Sequence, residues 1–218
     1  MIPRDFHYYE PSKGHGLSHN PLNALVAPRP IGWISSRDAQ GRVNLAPYSF
    51  FNAFNYEPPI IGFSSIAWKD SVQNASETRE FVWNLVTREL GDKMNQTSAP
   101  HPHGVDEFPL AGLTAVPGRV VNVPRVGESR AAMECKVIDI VQFRNTDGEN
   151  VSGWLVLGEV VAVHIDKLLL KEGVYQTADA YPIMRSGGLN DYVQVTPETV
   201  FQIARLAGAS SPSSHGKG

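Results

Sequence analysis

The sequence predicts a mainly β protein, an antiparallel barrel that carries a few short helices. Short apolar runs rich in β-branched and aromatic residues recur along the chain, and turn-forming residues separate them. Helical patterns are few and do not alternate regularly with the strands, so a parallel sheet with crossover helices is not expected. Neither of the glycine-rich phosphate motifs, GxGxxG and GxxxxGKS/T, is present.

The apolar runs define the strands in chain order. The first run, residues 31–36, ends at the polar turn 37–41, and residues 42–46 can pair back across that turn as a hairpin. Gly158 in the last run is expected to mark a bulge or a close approach of neighbouring chains. The other strands are predicted at residues 59–65, 81–86, 132–143 and 154–165, with a turn at Asn145-Thr146-Asp147-Gly148 before the last.

Three helices are predicted in addition to the strands. The first begins near Ser71 and ends before Phe81, and the second covers residues 89–96. The third, residues 197–206, opens with an N-cap residue, a proline at the first helical position and an acid, Thr196-Pro197-Glu198. We expect a surface arm at 1–20, the main domain at 21–193, a helical segment at 194–207 and a loose polar tail at 208–218.

Composition excludes several classes of protein. The formal net charge of the 218 residues is -3 and the basic residues are scattered, so no basic field would attract nucleic acid. Cys135 is the only cysteine, which excludes an intramolecular disulfide and fits a reducing compartment. No apolar run approaches the roughly 20 residues of a membrane span. We therefore expect a soluble cytoplasmic protein with no nucleic-acid or membrane partner.

One candidate anion site lies where the first strand ends. Ser35 and Ser36 supply two adjacent hydroxyls, and Arg37 adds a positive charge. Hydroxyls and backbone N–H groups at a strand end can bind a phosphate. The same residues also suit a solvated turn, so this segment alone does not decide between the two.

A second candidate anion site lies at the start of the first helix. Asp70 or Ser71 can cap that helix, Lys69 stands at its entry and Asn74 follows one turn later. A helix N-terminus beside a lysine favours a bound anion. A plain N-cap with a solvated lysine is the alternative.

A third segment, residues 44–52, mixes small, aromatic and amide residues. An irregular backbone starting at Ala46 and Pro47 could offer N–H and C=O groups to the polar edge of a flat ring, while its aromatic residues cover the apolar edge. An ordinary strand followed by a loop explains the segment equally well.

Together these segments resemble the flavin-reductase-like family of FMN-binding proteins, in the subgroup of flavoredoxin and monooxygenase reductase components. The resemblance spans about residues 21–193 and implies an antiparallel Greek-key split β-barrel. Ser71 stands where the family more often has threonine, which keeps the hydroxyl. The matching segments, in order, are 27–35 (APRPIGWIS), 41–52 (GRVNLAPYSFFN), 57–60 (EPPI), 69–74 (KDSVQN), Glu107-Phe108, 158–166 (GEVVAVHID), and Arg185-Ser186-Gly187-Gly188 with Tyr192.

The resemblance implies an FMN site and the residues that form it. It also implies a homodimer with flavin sites near the interface, and a monooxygenase or an electron-transfer protein as a partner. The phosphate would be held by Ser35, Ser36, Lys69 and Ser71, with Asp70 and Asn74 beside them; the ring would lie along Ala46, Pro47, Tyr48, Ser49, Phe50, Phe51 and Asn52; and Arg185 would lie near the pocket.

Histidines and tryptophans provide further candidates. The resemblance places His164 on the side of substrate or nicotinamide, as a catalytic candidate; a strand-end histidine bound to a backbone carbonyl is the alternative. Trp68, next to Lys69, is the tryptophan expected to line the pocket. His101 and His103 provide only two imidazoles, too few for a metal site, so no metal is expected.

The activity implied by the resemblance is that of an NAD(P)H-dependent flavin (FMN) reductase, in which a hydride passes from nicotinamide to flavin N5. The cofactor carries such chemistry, so the lack of a GxSxG nucleophile motif is no obstacle. Two alternatives stay open: an FMN-holding electron-transfer protein that a protein donor reduces, and a flavin or small-molecule binding module without redox turnover.

Overall fold

The computed structural model describes residues 4–204, and most of its regular structure is β. The four α-helices are short. The strands are β1 (Gly32–Arg37), β2 (Val43–Tyr48), β3 (Phe51–Asn55), β4 (Ile60–Ser65), β5 (Glu80–Asn84), β6 (Ala115–Val116), β7 (Arg125–Val126), β8 (Ala131–Arg144), β9 (Asn150–Ile165), β10 (Leu170–Lys171), β11 (Val174–Tyr175), β12 (Ile183–Arg185) and β13 (Tyr192–Gln194), and the helices are α1 (Leu22–Leu25), α2 (Asp70–Thr78), α3 (Gly91–Gln96) and α4 (Glu107–Leu110).

Seven strands form one antiparallel sheet in the order β2-β1-β5-β8-β9-β4-β3. The edge strands β2 and β3 are consecutive in the chain, and only Ser49 and Phe50 separate them. The Ser64 N–H on β4 donates to the Phe50 carbonyl at 2.7 Å. Because so short a link joins the two edges, the sheet must curl until they meet. The predicted mainly β fold, an antiparallel barrel that is open along one seam, is confirmed.

The strand order contains one long crossover. After the β1–β2 hairpin the chain crosses to β3 and β4 at the other edge, and it then returns through α2 to place β5 beside β1. This return carries α2 across the barrel, where Val72 and Ala75 are fully buried. The crossover therefore brings the start of α2 to the end of the sheet that β2 forms.

Most predicted strands occur within a few residues of their expected bounds, including the hairpin in which Arg37 pairs with Val43 and Gly32 with Tyr48. The prediction missed β3, because four of its five residues are exposed and it lacks the apolar run of a buried strand. Of the two alternatives for the segment that starts at Ala46 and Pro47, the ordinary strand is the one observed, because both residues lie in β2.

The first two helix predictions are confirmed by α2 and α3. The third is wrong over its described part, where a single 3-10 turn at Pro197–Thr199 gives way to non-helical chain up to Ala204. The turn keeps the predicted cap, because Thr196 and Thr199 bond reciprocally. Residues 205–207 of that helix and the predicted tail at 208–218 lie outside the described residues.

Two apolar clusters fill the space on either side of the sheet. One contains Trp33 and Phe108, and the other contains Phe63, Phe81 and Cys135. Cys135 is a fully buried free thiol whose pKa burial raises far above its usual range, so it is a packing residue. No helix among residues 4–204 is long and apolar enough to cross a bilayer.

Candidate functional site

A cavity of about 410 Å³ lies between β2 and the start of α2, and the loop at residues 97–101 closes its far side. It brings together the second and third candidate segments of the sequence. Its lining residues are Asn44, Ala46, Pro47, Tyr48, Trp68, Lys69, Asp70, Ser71, Thr97, Ser98, Ala99, Pro100, His101 and Glu107.

The polar end of the cavity is the N-terminus of α2. Lys69 has extended backbone angles and occupies the N-cap position, and no side chain caps the helix, contrary to the cap predicted at Asp70 or Ser71. The lysine ammonium forms no ion pair within the described residues. An uncapped N-terminus with a lysine beside it is attractive to an anion.

Two fully buried serine hydroxyls near this end each accept a hydrogen bond from an amide. Asn44 Nδ2 donates to Ser71 Oγ at 2.8 Å, and Asn74 Nδ2 donates to Ser36 Oγ at 3.1 Å. Ser71 lines the cavity and also contacts the Tyr48 phenol, whereas Ser36 is not among the lining residues. Within residues 4–204 the Ser36 hydroxyl has no acceptor and the buried Asn74 Oδ1 has no partner, so the Ser36 proton remains available to an acceptor.

Ser35 lies on the other side of β1. Its hydroxyl donates to the Pro124 carbonyl at 2.6 Å and accepts from Asn84 Nδ2 at 3.3 Å. Side chains alternate along a strand, so Ser35 and Ser36 cannot both face α2. The structure thus brings Ser36, Ser71 and Lys69 together and leaves Ser35 out of the group.

The wall opposite α2 is β2, an edge strand. Ala46 and Pro47 pair with Ile34 and Trp33 on one side, and their other side faces the cavity. Tyr48 packs its ring 4.8 Å from that of Phe63, and burial raises the pKa of Tyr48 to about 12, so its phenol stays neutral. This wall is largely apolar.

Glu107 is a site residue that the sequence reasoning did not assign. It is only 6% exposed, it lines the cavity, and its carboxylate accepts the outward N–H of Leu45 at 2.8 Å. Burial raises the pKa of Glu107 more than this hydrogen bond lowers it. In the sequence, Glu107 stood out only because Glu107-Phe108 is one of the segments that match the family. That match did not show where the carboxylate points.

The second half of the predicted ring segment lies away from this cavity. The Phe50 ring lies against the Arg29 guanidinium at 5.7 Å, and Phe51 stacks on Trp83 with its ring 5.9 Å away. Asn52 is exposed on β3, and its side-chain oxygen accepts the N–H of Ala53. Ala46, Pro47 and Tyr48 line the cavity, whereas Phe50, Phe51 and Asn52 do not.

Asp70 fixes a loop over the entrance of the cavity. His103 Nδ1 lies 3.0 Å from Asp70 Oδ1, and the Gly104 N–H donates to Asp70 Oδ2 at 3.4 Å. The carboxylate is therefore engaged with the 103–104 loop. Among residues 4–204 no group of three or more His, Cys, Asp and Glu side chains could hold a metal ion.

Trp68 lines the cavity as expected from its position beside Lys69. Its ring is 46% exposed and meets Trp154 edge-on at 4.5 Å. It offers a half-exposed aromatic surface at the mouth of the cavity. Trp33 and Trp83 belong to the core and to its margin.

Two further cavities continue the first one. A cavity of about 220 Å³ shares Pro47 and Ser98 with it and is also lined by Ser49 and Arg185. A third, of about 490 Å³, shares Arg185 and Tyr192 with the second. Arg185 and Ser49 therefore lie beside the site that the other residues form, on the same trough.

His164 does not line any of these cavities. Its Nε2–H donates to Glu134 Oε1 at 2.5 Å, and Glu134 is fully buried. The alternative of a histidine bound to a backbone carbonyl is wrong, because the acceptor is a carboxylate. The geometry gives His164 a structural contact and leaves its catalytic role without support.

Comparisons with known proteins identify the family of this chain. The family model described as "Flavin reductase like domain" matches residues 25–183. An uncharacterized protein of Aquifex aeolicus is 36% identical over 170 residues, which cover 75% of this chain and 83% of that protein.

Two solved structures have the same fold over most of their length. The nitrilotriacetate monooxygenase component B from Bacillus cereus is 28% identical with a TM-score of 0.77, covering 94% of this chain and 98% of that one. The 2-nitrobenzoate 2-nitroreductase NbaA from Pseudomonas fluorescens is 26% identical with a TM-score of 0.75, covering 88% and 92%. With a family model that matches most of the chain and a relative above 30% identity, the chain belongs to the flavin reductase like family.

Proposed function

We propose that this chain binds FMN in the cavity between β2 and α2 and acts as an NAD(P)H-dependent flavin reductase. The observation that carries the proposal is that one cavity is lined by four β2 residues and by the start of α2. These residues are Asn44, Ala46, Pro47 and Tyr48 of β2, with Lys69, Asp70 and Ser71. A binding site for a phosphorylated ring compound needs an anion-binding end and an apolar wall, and this cavity has both.

The donors at the α2 end suit a phosphate. The Ser71 hydroxyl lines the cavity, and the Ser36 hydroxyl close behind it has a proton without an acceptor within residues 4–204. The Lys69 ammonium supplies a charge, and the helix N-terminus is uncapped. Charge-assisted hydrogen bonds to a phosphate are stronger than neutral ones. In the proposed site these groups hold the phosphate end of FMN.

The β2 wall suits the ring system. Pro47, Tyr48 and Trp68 supply apolar and aromatic surface, and the adjoining cavity adds room beyond Pro47. FMN held there would supply the redox chemistry, which is the acceptance of a hydride from a nicotinamide. The role of the residues here is to bind and orient the ring and to exclude water from it.

An anaerobic mixing experiment tests the reductase activity. Purified protein loaded with FMN is mixed with NADH or with NADPH, and the visible absorbance of the flavin is followed. Rapid bleaching with either nicotinamide supports the reductase. An FMN-loaded protein that neither nicotinamide bleaches contradicts it and favours the electron-transfer alternative.

We also propose a homodimer that works with a partner monooxygenase or electron-transfer protein. Phe54 and Tyr56, on β3 and the turn after it, are 54% and 73% exposed. Exposed aromatic side chains on an edge strand are typical of a contact surface. The similarity to a protein described as a monooxygenase component B supports such a partner. Light scattering of the purified chain tests the dimer, and a monomer at micromolar concentration would contradict it.

A further inference from the structure

The third cavity, of about 490 Å³, lies beyond the proposed FMN site and is lined mainly by polar and charged side chains. These side chains are Arg88, Asp92, Asn95, Arg185, Asn190 and Tyr192. Two guanidinium groups and two amides face one space, together with a single carboxylate. Two positive charges against one negative charge leave the lining with a net positive charge, which suits an anionic ligand.

This cavity joins the FMN site without a break in the lining. The intermediate cavity shares Asn95, Arg185 and Tyr192 with it, and Pro47 and Ser98 with the FMN site. A ligand lying along this trough can therefore place one end beside the β2 wall and the other end among the arginines. An elongated molecule with a ring at one end and anionic groups further along fits this arrangement.

The two arginines are presented differently. Arg185 lies over the Tyr192 ring at 4.9 Å and donates to the carbonyls of Asp191 and Leu189, so its position is fixed. Arg88 is exposed, and its guanidinium makes neither an ion pair nor a side-chain hydrogen bond within residues 4–204. Arg185, whose position is fixed, can set the position of an anion, and the Arg88 side chain can then move to contact the same anion.

We propose that this trough binds the sugar-phosphate half of the dinucleotide co-substrate, with Arg88 and Arg185 on its phosphates and Asp92 on a ribose hydroxyl. Guanidinium groups bind phosphate oxygens in pairs, and a carboxylate is the usual acceptor for a ribose hydroxyl. The proposal rests on the reductase function, because it names the site of the second substrate. It also explains how the chain can hold a dinucleotide without a glycine-rich fingerprint.

The test measures equilibrium binding and does not depend on turnover. Calorimetric titration of FMN-loaded protein with the oxidised dinucleotides NADP⁺ and NAD⁺, which cannot reduce the flavin, and with inorganic pyrophosphate is compared for the wild type, Arg88→Ala and Arg144→Ala. Arg144 makes a matched control because it is exposed at the far end of the β8–β9 hairpin and lines none of the cavities. FMN affinity is measured for each variant as well.

We expect Arg88→Ala to bind the dinucleotide roughly tenfold more weakly, because one charge-assisted contact is lost. FMN affinity should stay unchanged, and Arg144→Ala should match the wild type throughout. Equal dinucleotide affinity in Arg88→Ala and Arg144→Ala overturns the proposed site.

The pyrophosphate titration separates this proposal from the reductase function. If neither NADH nor NADPH bleaches the flavin in the anaerobic experiment, but pyrophosphate binds the wild type and its binding is lost in Arg88→Ala, the anion site stands and the reductase function fails. If the wild type binds neither a dinucleotide nor pyrophosphate, the trough is not an anion site.

Discussion

Adjacent serines on β1 face opposite sides of the sheet, and this alternation decides which of them can touch a ligand. Ser36 lies against Asn74 of α2, whereas Ser35 lies against the Pro124 carbonyl. The sequence shows two hydroxyls side by side and gives no sign of which one faces α2. The register of β1 against β5 sets the direction, and register depends on long-range pairing that local pattern does not reveal.

We predict that Ser35→Ala and Ser36→Ala separate stability from binding. Ser35→Ala should lower the free energy of unfolding by about 1 kcal/mol, because a buried hydrogen bond is lost, and should leave FMN affinity unchanged. Ser36→Ala should weaken FMN binding several-fold. Urea unfolding and FMN titration of both variants check this. A loss of FMN affinity in Ser35→Ala equal to that in Ser36→Ala would contradict the assignment.

Glu134 is a buried carboxylate that ties a loop to the sheet. It accepts the backbone N–H groups of Arg119, Val120 and Val121 at 2.7 to 2.9 Å, in addition to His164. Burial alone would raise its pKa, but the hydrogen bonds from Arg119 and the other donors outweigh it and lower the pKa to about 2. The ionised carboxylate is therefore the form that the fold stabilises.

This pKa predicts an acid-dependent loss of stability. A carboxyl group with a lowered pKa in the folded state contributes stability above its ordinary pKa of 4.5, and that contribution is lost as the pH falls towards about 2. Glu134→Gln should be less stable than the wild type at neutral pH, and the difference should shrink as the pH is lowered through this range. Urea unfolding at a series of pH values measures it. A difference that stays constant with pH would contradict the prediction.

Helices and strands could be predicted where the burial of one face imposes a regular spacing of apolar residues on the sequence. The β8–β9 hairpin and the β1–β2 hairpin combine apolar runs with strong turn residues, and both lie close to their predicted positions. β3 was missed because it is exposed, and an exposed edge strand does not need an apolar pattern. The helix expected after Thr196 ended after one turn, since a good N-cap does not supply the apolar face that stabilises a helix.

Gly158 is a position in β9 where the packing leaves no room for a side chain. A Cβ atom at this position of β9 would lie 2.4 Å from Phe81 Cε1 and 3.1 Å from Cys135 Cβ. The partner strand β8 shifts register between Val137 and Asp139, directly opposite. The close approach at Gly158 is therefore made by side chains and not by backbone, and the extra residue of the bulge belongs to the partner strand β8.

We predict that Gly158→Ala destabilises the fold by about 1 to 3 kcal/mol, because the fully buried Phe81 ring has no space to move. Ser152→Ala is the control, since Ser152 is exposed on the same strand. Chemical unfolding of both variants provides the measurement. Equal stability of the two variants would show that the packing around Phe81 yields more easily than the structure indicates.

The curled sheet explains how distant segments meet in one site. Because only Ser49 and Phe50 join the edge strands, closure of the sheet holds β2 at the seam, and the crossover returns α2 beside it. Taken alone, neither residues 44–52 nor residues 69–74 distinguished a ligand site from ordinary structure. The ordered family resemblance linked the two segments, and the cavity places them around one volume.

The packing of the closed barrel also explains why Glu107 was not predicted as a site residue. Its carboxylate reaches the site only because α4 packs against β2, and it uses the backbone N–H of Leu45 that an edge strand leaves open. A lone glutamate in a short helix has no local pattern that reports such a contact. A residue that reaches a site only through tertiary packing leaves no local sequence pattern from which its role could be predicted.

The measurement that tests the central claim most directly is an equilibrium titration of the purified protein with FMN, followed by flavin fluorescence. It is performed on the wild type, on Lys69→Ala, and on Lys167→Ala as a control for the loss of an exposed lysine outside the cavity. We predict saturable binding of FMN by the wild type, roughly tenfold weaker binding by Lys69→Ala because one charged phosphate contact is lost, and unchanged binding by Lys167→Ala. No saturable binding by the wild type, or equal affinity in Lys69→Ala and the wild type, would contradict the proposed site.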